Sequence, residues 1–515
     1  MQWEGLCAIT VYFMGILAIG IYFFVKSLKH GDGEKEYFLG GRSMNGWVSA
    51  LSAGASDMSA WVLMGLPGAV YLLGMGQLWI AVGLLLGTVA AWIFVAPRLR
   101  RYSILAGDAI TIPQFLTNRF LTKSKSLQII AALVFMIVYC VYAASSIYAC
   151  GLVFNATIGV DPRKAMAVAG AAIVFYTFMG GYRAVCWTDF FQGLLMLATL
   201  MLAPIFAFGI MQCNDFIPPS PDFPANYFNW FSGGQDSWAS IADVVSGLSW
   251  GLGYFGMPHI LIRYFSVKSE KEMRKSQIIG CFWIAVILLM AVLVGLLGRS
   301  YLGAPAGTAG SEMIFVNIIR NVFDWIGNQT GFISAAIFSA GLLLSAILAA
   351  SMSSADSQLL ISSSAFASDI YKPVFRKNAS DREMMWAGRT VVLLMSAIAY
   401  FIAVNPACKG IMGLVSCAWG AFGAAFGPVI LLALYWKRLT CPGAAAGIAV
   451  GFIVDGAWYA AAQYFTARAG FLRIFDLYEI LPGFLCGLAA AILVSKWSKA
   501  PSYEVCELFD KVNSR

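Results

Sequence analysis

Charge is scarce in this chain. Of its 515 residues, 12% are Asp, Glu, Lys or Arg, about half the roughly 25% of a water-soluble domain. Histidine is scarcer still, with only His30 and His259. None of the 11 cysteines is spaced CxxC. These shortages exclude a zinc or haem site of recognisable spacing. Most of the cysteines lie in apolar runs, where Cys behaves as a small hydrophobe, and a Cys213–Cys408 disulfide is not expected. The polar composition of a disordered chain is missing too. So is any connection long enough to fold as a second domain. Residues 1–515 therefore read as a single transmembrane domain.

What the chain has in excess is apolar surface: 60% of residues are hydrophobic and the mean hydropathy is +0.76. A spanning helix needs about 20 mostly apolar residues. Thirteen such runs are present, near 5–25, 44–74, 76–97, 127–153, 164–180, 187–211, 240–262, 276–298, 329–356, 389–405, 411–436, 443–464 and 478–495. The first is followed by Lys26, Lys29 and His30 with no small-residue cleavage site, so it reads as a retained helix. The fold class is an all-α polytopic membrane protein of about 13 helices.

The net charge of +8 is not a nucleic-acid signal, because the basic residues sit between apolar runs. Alternate connections hold 27 of the 34 Lys and Arg (26–42, 98–126, 181–186, 263–275, 357–389, 437–442 and 496–515). The other side holds seven: Arg163, Lys164, Arg299, Arg320, Lys409, Arg468 and Arg473. The positive-inside rule puts the first set in the cytoplasm of a cell (plasma or inner) membrane, with the N-terminus outside and the C-terminus inside. The connection 212–239 lacks Lys and Arg and carries Asp215, Asp222 and Asp236, as suits an external loop.

Ionisable groups at membrane depth are costly and are functional candidates by default. Asp57, Asp189, Asp356 and Asp455 qualify. Asp455 sits in a bland run and reads as structurally paired. Asp356, near a run's end, reads equally as solvated or functional. Asp57 lies in Ser52-Ala-Gly-Ala-Ser-Asp-Met-Ser-Ala-Trp61, in the middle of a run too long for one straight helix. Gly54, Gly65, Pro67 and Gly68 lower its helical propensity. A small-residue packing face accounts for the Gly and Ala but not for Asp57. A helix interrupted at the midplane exposes carbonyls that suit a hard cation such as Na⁺ and N–H groups that suit a carboxylate.

Two further segments stand out. Ala349-Ala-Ser-Met-Ser-Ser-Ala-Asp-Ser357 continues to Ser362-Ser-Ser364, with Ser353 and Ser357 one turn apart. Facing another polar break, such hydroxyls complete an oxygen cage. Trp250-Gly-Leu-Gly-Tyr-Phe-Gly-Met-Pro-His259 carries Trp250, Tyr254 and Pro258 as an aromatic stripe, and its glycines again weaken the helix. The two weakened runs are the second and the seventh. Five apart is an odd number, so they enter from opposite sides, the pattern of an inverted repeat with solute and ions where the breaks meet.

These motifs, in order, resemble the sodium/solute symporter family. They are Tyr37-Phe-Leu-Gly-Gly-Arg42; Ala50 to Ser59 with Trp61; Gly180-Gly181, Ala184-Val185, Trp187-Thr-Asp189 and Gln192; Trp250 to Gly256 with Pro258-His259; Leu344 to Ala350 with Met352-Ser353; Gly413-Leu-Val-Ser416; and Ala421 to Pro428. The resemblance implies a LeuT-type five-plus-five inverted repeat (43–211 and 240–436). An extra N-terminal helix (5–25), two extra helices (443–495) and a cytoplasmic tail (496–515) flank it. It implies Na⁺ as coupling ion, held by carbonyls of Ala55, Met58 and Ala350 and hydroxyls of Ser353 and Ser354, with no organic cofactor. It implies coupling or gating roles for Asp57, Asp189 and Arg42.

The resemblance also implies a solute pocket of Trp61, Tyr142, Trp250, Tyr254 and Pro258. L-Proline suits such a wall, its ring on aromatic surfaces and its ammonium near carbonyls or an aromatic face. The proline-transporting pattern has Gly, Gln and Thr where this chain has Ala60, Met257 and Ser354. Another small amino or carboxylic acid therefore stays open. The partners implied are this solute and membrane lipid, with no nucleic acid and no obligatory protein partner.

Two rival classes fit parts of the sequence. An intramembrane aspartyl protease would pair Asp57 with Asp189, but Gly54-Ala-Ser-Asp57 lacks the second glycine of GxGD. A serine–histidine protease needs a His at depth, and His259 reads as near a cytoplasmic end. A channel is the other rival and would pass currents beyond carrier turnover.

Overall fold

The structure is a computed structural model that describes residues 3–28, 34–122, 124–213, 223–231, 236–465 and 470–513. Lys29, His30, Asp215, Asp222 and Arg468 lie outside the described residues. Among the described residues the only β feature is an isolated bridge between Met44 and Val267. All eleven cysteines are free thiols.

The helices used below are α1 (Trp3–Leu28), α2 (Gly46–Asp57), α3 (Leu66–Leu73), α4 (Met75–Leu105), α5 (Ile112–Arg119), α6 (Ser126–Ile158), α7 (Pro162–Met211), α8 (Ser237–Ser249) and α9 (Pro258–Ser266). They continue as α10 (Glu270–Leu302), α11 (Ile314–Thr330), α12 (Ile333–Ser364), α13 (Asp381–Ala403), α14 (Gly410–Tyr435), α15 (Cys441–Tyr464), α16 (Ile480–Trp497) and α17 (Tyr503–Asn513). Among the described residues, ten helical segments are long and apolar enough to cross a membrane. Of the expected runs, 44–74, 164–180 and 240–262 are outside that set. The first and third are interrupted, as their glycines and prolines suggest. The second is the opening part of α7.

The loop expected at 181–186 is not one. Helix continues on both sides of Gly181, which takes φ 59°, ψ 170° and forms the kink by itself. Only glycine adopts that conformation without a Cβ clash. Three of the helices named above fall in stretches read as mere connections: α5, α11 and α17. Each buries one apolar stripe against the bundle, such as Ile314, Phe315, Ile318, Ile319 and Val322 of α11.

Local chemistry fixes where the spans start. Asn45 caps α2 by accepting from the Val48 amide at 3.0 Å. Ser269 caps α10, and Glu272 three residues on does not fold back as in a capping box. Its Oε2 accepts from the Gly46 amide at 2.6 Å, tying the start of α10 to the start of α2. Small residues then let helices touch. A Cβ on Gly83 or Gly87 of α4 would lie 2.3 Å from the carbonyl oxygen of Gly247 or Gly251, so that pair of backbones is in direct contact. At the centre, every residue of α12 from Leu344 to Ser364 is buried. The Ser-rich helix thus faces protein and not lipid.

Candidate functional site

The second run breaks after Asp57. Met58 leaves helical geometry (φ −80°, ψ 71°), and the chain resumes as a π-helical turn over Trp61–Gly65. The break redirects hydrogen bonds. In a continuous helix the Ser59 amide would bond Ala55 O and the Val62 amide would bond Met58 O. Here Ser59 N donates to Asp57 O (2.9 Å) and Val62 N to Ser59 O (3.2 Å). The carbonyls of Ala55 and Met58 are therefore released from their helical donors.

The seventh run breaks as well. α8 tightens into a 3₁₀ segment over Trp250–Phe255, turns at Gly256 and Met257, and restarts at Pro258 as α9. Pro258, first in the new helix, needs no amide donor there.

α12 passes beside the first break. Ser353 Oγ lies 2.9 Å from Ala55 O and 3.1 Å from Ala350 O. Ser354 Oγ is buried and, among the described residues, has no hydrogen-bond partner, as is also true of Ser59 Oγ and Asp57 Oδ1. Met58 is fully buried at the break. The structure therefore brings Ala55, Ala350 and Ser353 into contact, with Met58 on the released backbone and Ser354 next along α12. Carbonyls and hydroxyls of this kind suit a hard monovalent cation. Among the described residues there is no cluster of three His, Cys, Asp or Glu for a transition metal.

The two breaks are joined by side chains. Tyr254 OH donates to Asp57 Oδ2 at 2.6 Å. Trp61 Nε1 donates to Asp57 O at 3.1 Å, and Tyr142 OH lies 3.5 Å from the same oxygen. Trp61 and Trp250 face one another with ring centroids 6.5 Å apart. Pro258 is buried across the second break from Tyr254. Two residues missed in the sequence complete this wall. Tyr478 stacks on Trp250 at 5.0 Å, and Trp419 packs at 6.3 Å while its Nε1 donates to Trp250 O at 2.7 Å. The small residues of α14 after Trp419, namely Gly420, Ala421 and Gly423, were the available signal for a helix against a broken neighbour.

One turn from the Ser353 contact, toward the end of the bundle rich in Lys and Arg, lies a buried ion pair. Arg263 Nη2 is 3.0 Å from Asp189 Oδ2, with both side chains at most 1% exposed. Ser52 Oγ donates to Asp189 at 2.6 Å, and Arg263 also reaches Ser357 Oγ (2.5 Å) and His259 O (2.7 Å). Arg263 belongs to the last turn of α9, so its assignment to a connecting loop is corrected: a charge closing an apolar run sits inside once a carboxylate waits there. His259 is likewise fully buried just after the break and paired with Tyr139 at 3.2 Å, not near a helix-bundle end. Asp356 is fully buried, which excludes the solvated reading. Asp455 is buried, but its neighbour is another acid: a Cβ on Gly420 would meet Asp455 Oδ1 at 2.8 Å and Glu479 Cγ at 3.3 Å. Asp57 and Asp189 engage different partners, not each other as a protease pair would.

Arg42 sits at the base of the first interrupted run with φ 53°. Its guanidinium binds Asp108 Oδ1 (2.8 Å), Ser103 Oγ (3.0 Å), Phe265 O (2.7 Å) and Ala109 O (2.8 Å). It thereby joins α4 to the end of α9. Burial pushes the Asp108 carboxyl up, but hydrogen bonds from Lys35 and Arg42 outweigh it and hold the group below the ordinary aspartate range.

Comparison with known proteins follows the same lines. A family model described as the sodium:solute symporter family matches residues 37–451. The chain is 39% identical to the osmoregulated proline transporter OpuE of Bacillus subtilis, with 100% of each covered. It is 41% identical to the high-affinity proline transporter PutP of the same organism, over 96% of this chain and 98% of the relative. It is 39% identical to the sodium/proline symporter of Salmonella typhimurium, over 99% and 96%. Among solved structures, a Na⁺-coupled sialic acid symporter superposes with TM-score 0.74 at 22% identity, covering 97% of this chain and 99% of that one. That likeness bears on the fold, which is of the LeuT type. The chain belongs to the sodium:solute symporter family.

Proposed function

We propose that this protein imports L-proline together with Na⁺ by alternating access. The observation that carries the reading is the release of the Ala55 and Met58 carbonyls, with Ser353 Oγ against Ala55 O, beside an aromatic wall. In this reading Na⁺ binds Ala55, Met58, Ala350, Ser353 and Ser354. The solute lies among Trp61, Tyr142, Trp250, Tyr254 and Pro258. Asp57 holds the two breaks together, while Asp189 and Arg42 govern opening toward the basic end. That end is cytoplasmic, with the N-terminus outside, and residues 43–211 and 240–436 form the two inverted repeats. Three relatives named for proline transport, similar along nearly the whole chain, support the solute.

Na⁺ binding would draw the broken run against α12 and preorganise the pocket, so the solute binds more tightly and the coupling is reciprocal. One charge moving inward at 100 mV contributes about 2.3 kcal/mol. A tenfold Na⁺ gradient adds about 1.4 kcal/mol. Together these sustain a proline gradient on the order of several hundredfold.

Ala60 and Met257 lie at the two breaks, so they adjoin the wall where solute size is judged. They favour a second reading in which another small amino or carboxylic acid is preferred. Proteoliposomes given a panel of radiolabelled amino and carboxylic acids, with and without an inward Na⁺ gradient, decide between them. Proline uptake that requires Na⁺ is expected. Equal uptake in choline would overturn the proposal.

A further inference from the structure

A solute carboxylate inside the aromatic pocket needs hydrogen-bond donors, because a buried charge without them is costly. The first turn of α9 does not supply them. Pro258 has no amide hydrogen. His259 N donates to Tyr139 OH (3.0 Å), and Ile260 N and Leu261 N donate to Met257 O (3.2 and 3.0 Å). Three donors of the wall are engaged as well. Trp61 Nε1 and Tyr254 OH hold Asp57, and Trp419 Nε1 holds Trp250 O.

His259 keeps a donor in reserve. Its ring is fully buried beside Tyr139 and Tyr142 of α6, with centroids 6.0 and 5.9 Å away. The Tyr139 hydroxyl accepts from the His259 amide and lies 3.2 Å from Nδ1, and it has no other partner among the described residues. A phenol carries one hydrogen. That hydrogen goes to Nδ1, so the imidazole is the tautomer with its proton on Nε2. Nε2 is buried and has no hydrogen-bond partner among the described residues. Arg263 Nη1 donates to His259 O (2.7 Å) and fixes the residue from its other side.

Both neighbours of His259 belong to the pocket. Tyr142 reaches the first break, with its hydroxyl 3.5 Å from Asp57 O, and Pro258 precedes His259 in the chain. The wall is shut in this structure, with Trp61, Trp250 and Tyr254 at 1%, 5% and 1% exposed. We propose that His259 Nε2–H donates to the carboxylate of the solute once the solute parts this wall. The proposal rests on the reading of the solute as a small amino or carboxylic acid, and it names the group that selects the acid. A site built to hydrogen-bond a solute group strongly rejects the analogue that lacks it, because the donor is then left buried and unpaired.

The chain has only two histidines, so nitrogen-15 histidine labelling gives two imidazole rings, and His30→Gln leaves that of His259 alone. Solid-state NMR of the full-length protein in proteoliposomes then reads Nε2 directly. Its signal should move when L-proline is added with Na⁺. It should stay in place with L-prolinamide, which has the same ring and no carboxylate. In uptake assays His259→Met should raise the half-saturating proline concentration about tenfold to a hundredfold, as loss of a hydrogen bond to a charged group does. His259→Gln, whose amide nitrogen sits as far along the side chain as Nε2, should regain most of it. Equilibrium Na⁺ binding without proline should be kept in both variants. Proline bound with the Nε2 signal unmoved, an equal movement with L-prolinamide, or unchanged proline affinity in His259→Met would each overturn the proposal. The NMR arm does not depend on whether His259→Met folds. A wild type that takes up no proline or related acid would instead overturn the reading of the solute beneath it.

Discussion

Tyr254 OH donates a 2.6 Å hydrogen bond to Asp57 Oδ2, and through it the two interrupted runs are fastened to each other. Both groups are buried. A hydrogen bond to a carboxylate contributes about 1.5–3 kcal/mol, and leaving one partner unsatisfied costs more. Tyr254→Phe removes only the hydroxyl. Apparent affinities for Na⁺ and for proline should both weaken, by roughly tenfold or more. Uptake kinetics at varied Na⁺ and proline measure both. A change in one affinity alone would show that the bond does not couple the sites.

Ser353 Oγ donates to the carbonyls of Ala55 and Ala350. Ser353→Ala should raise the half-saturating Na⁺ concentration about tenfold or more, by loss of a hydroxyl ligand. Ser353→Thr, which keeps the oxygen, should recover most of it. Trp250→Ala should instead raise the half-saturating proline concentration, because it removes the ring between Trp61 and Tyr478. Uptake assays on the three variants separate these effects.

The pair Arg263 and Asp189 is wholly buried. Breaking such a pair by removing one partner costs about 3–5 kcal/mol, since the other charge is stranded. Arg263→Met should therefore lower the thermal unfolding midpoint of the purified protein markedly. The double variant Arg263→Met, Asp189→Asn should regain a large part of the loss. Losses that simply add would show that the two residues act independently.

Gly253 approaches Trp419 so closely that a Cβ would sit 2.1 Å from Nε1. That nitrogen donates to Trp250 O and holds the wall in place. Gly253→Ala should displace Trp419 and weaken proline affinity severalfold, with the Na⁺ dependence kept. Proline binding to purified protein measures it.

The sequence was most legible where a rule of membrane structure was broken. Gly54, Pro67 and the glycines of Trp250–Gly256 mark two weakened runs, and the structure interrupts both. The hydroxyl-rich stretch of α12 was legible because polar side chains at that depth must face protein. Arg263 was misplaced because hydropathy ends a run at its first charge, whereas Asp189 lets that charge stay buried. Trp419 and Tyr478 were passed over because an aromatic in an apolar run does not reveal which face it presents. Helices α5, α11 and α17 were missed because each is shorter than a span and gains its stability by docking on the bundle.

The central claim is that peptide oxygens released at the first break hold Na⁺ and that the ion prepares the aromatic pocket. Equilibrium binding of radioactive Na⁺ to the purified protein, with and without L-proline, tests it most directly. Saturable binding that proline tightens, and that Ser353→Ala weakens about tenfold or more, is the expected result. Saturable binding untouched by both proline and Ser353→Ala would contradict it.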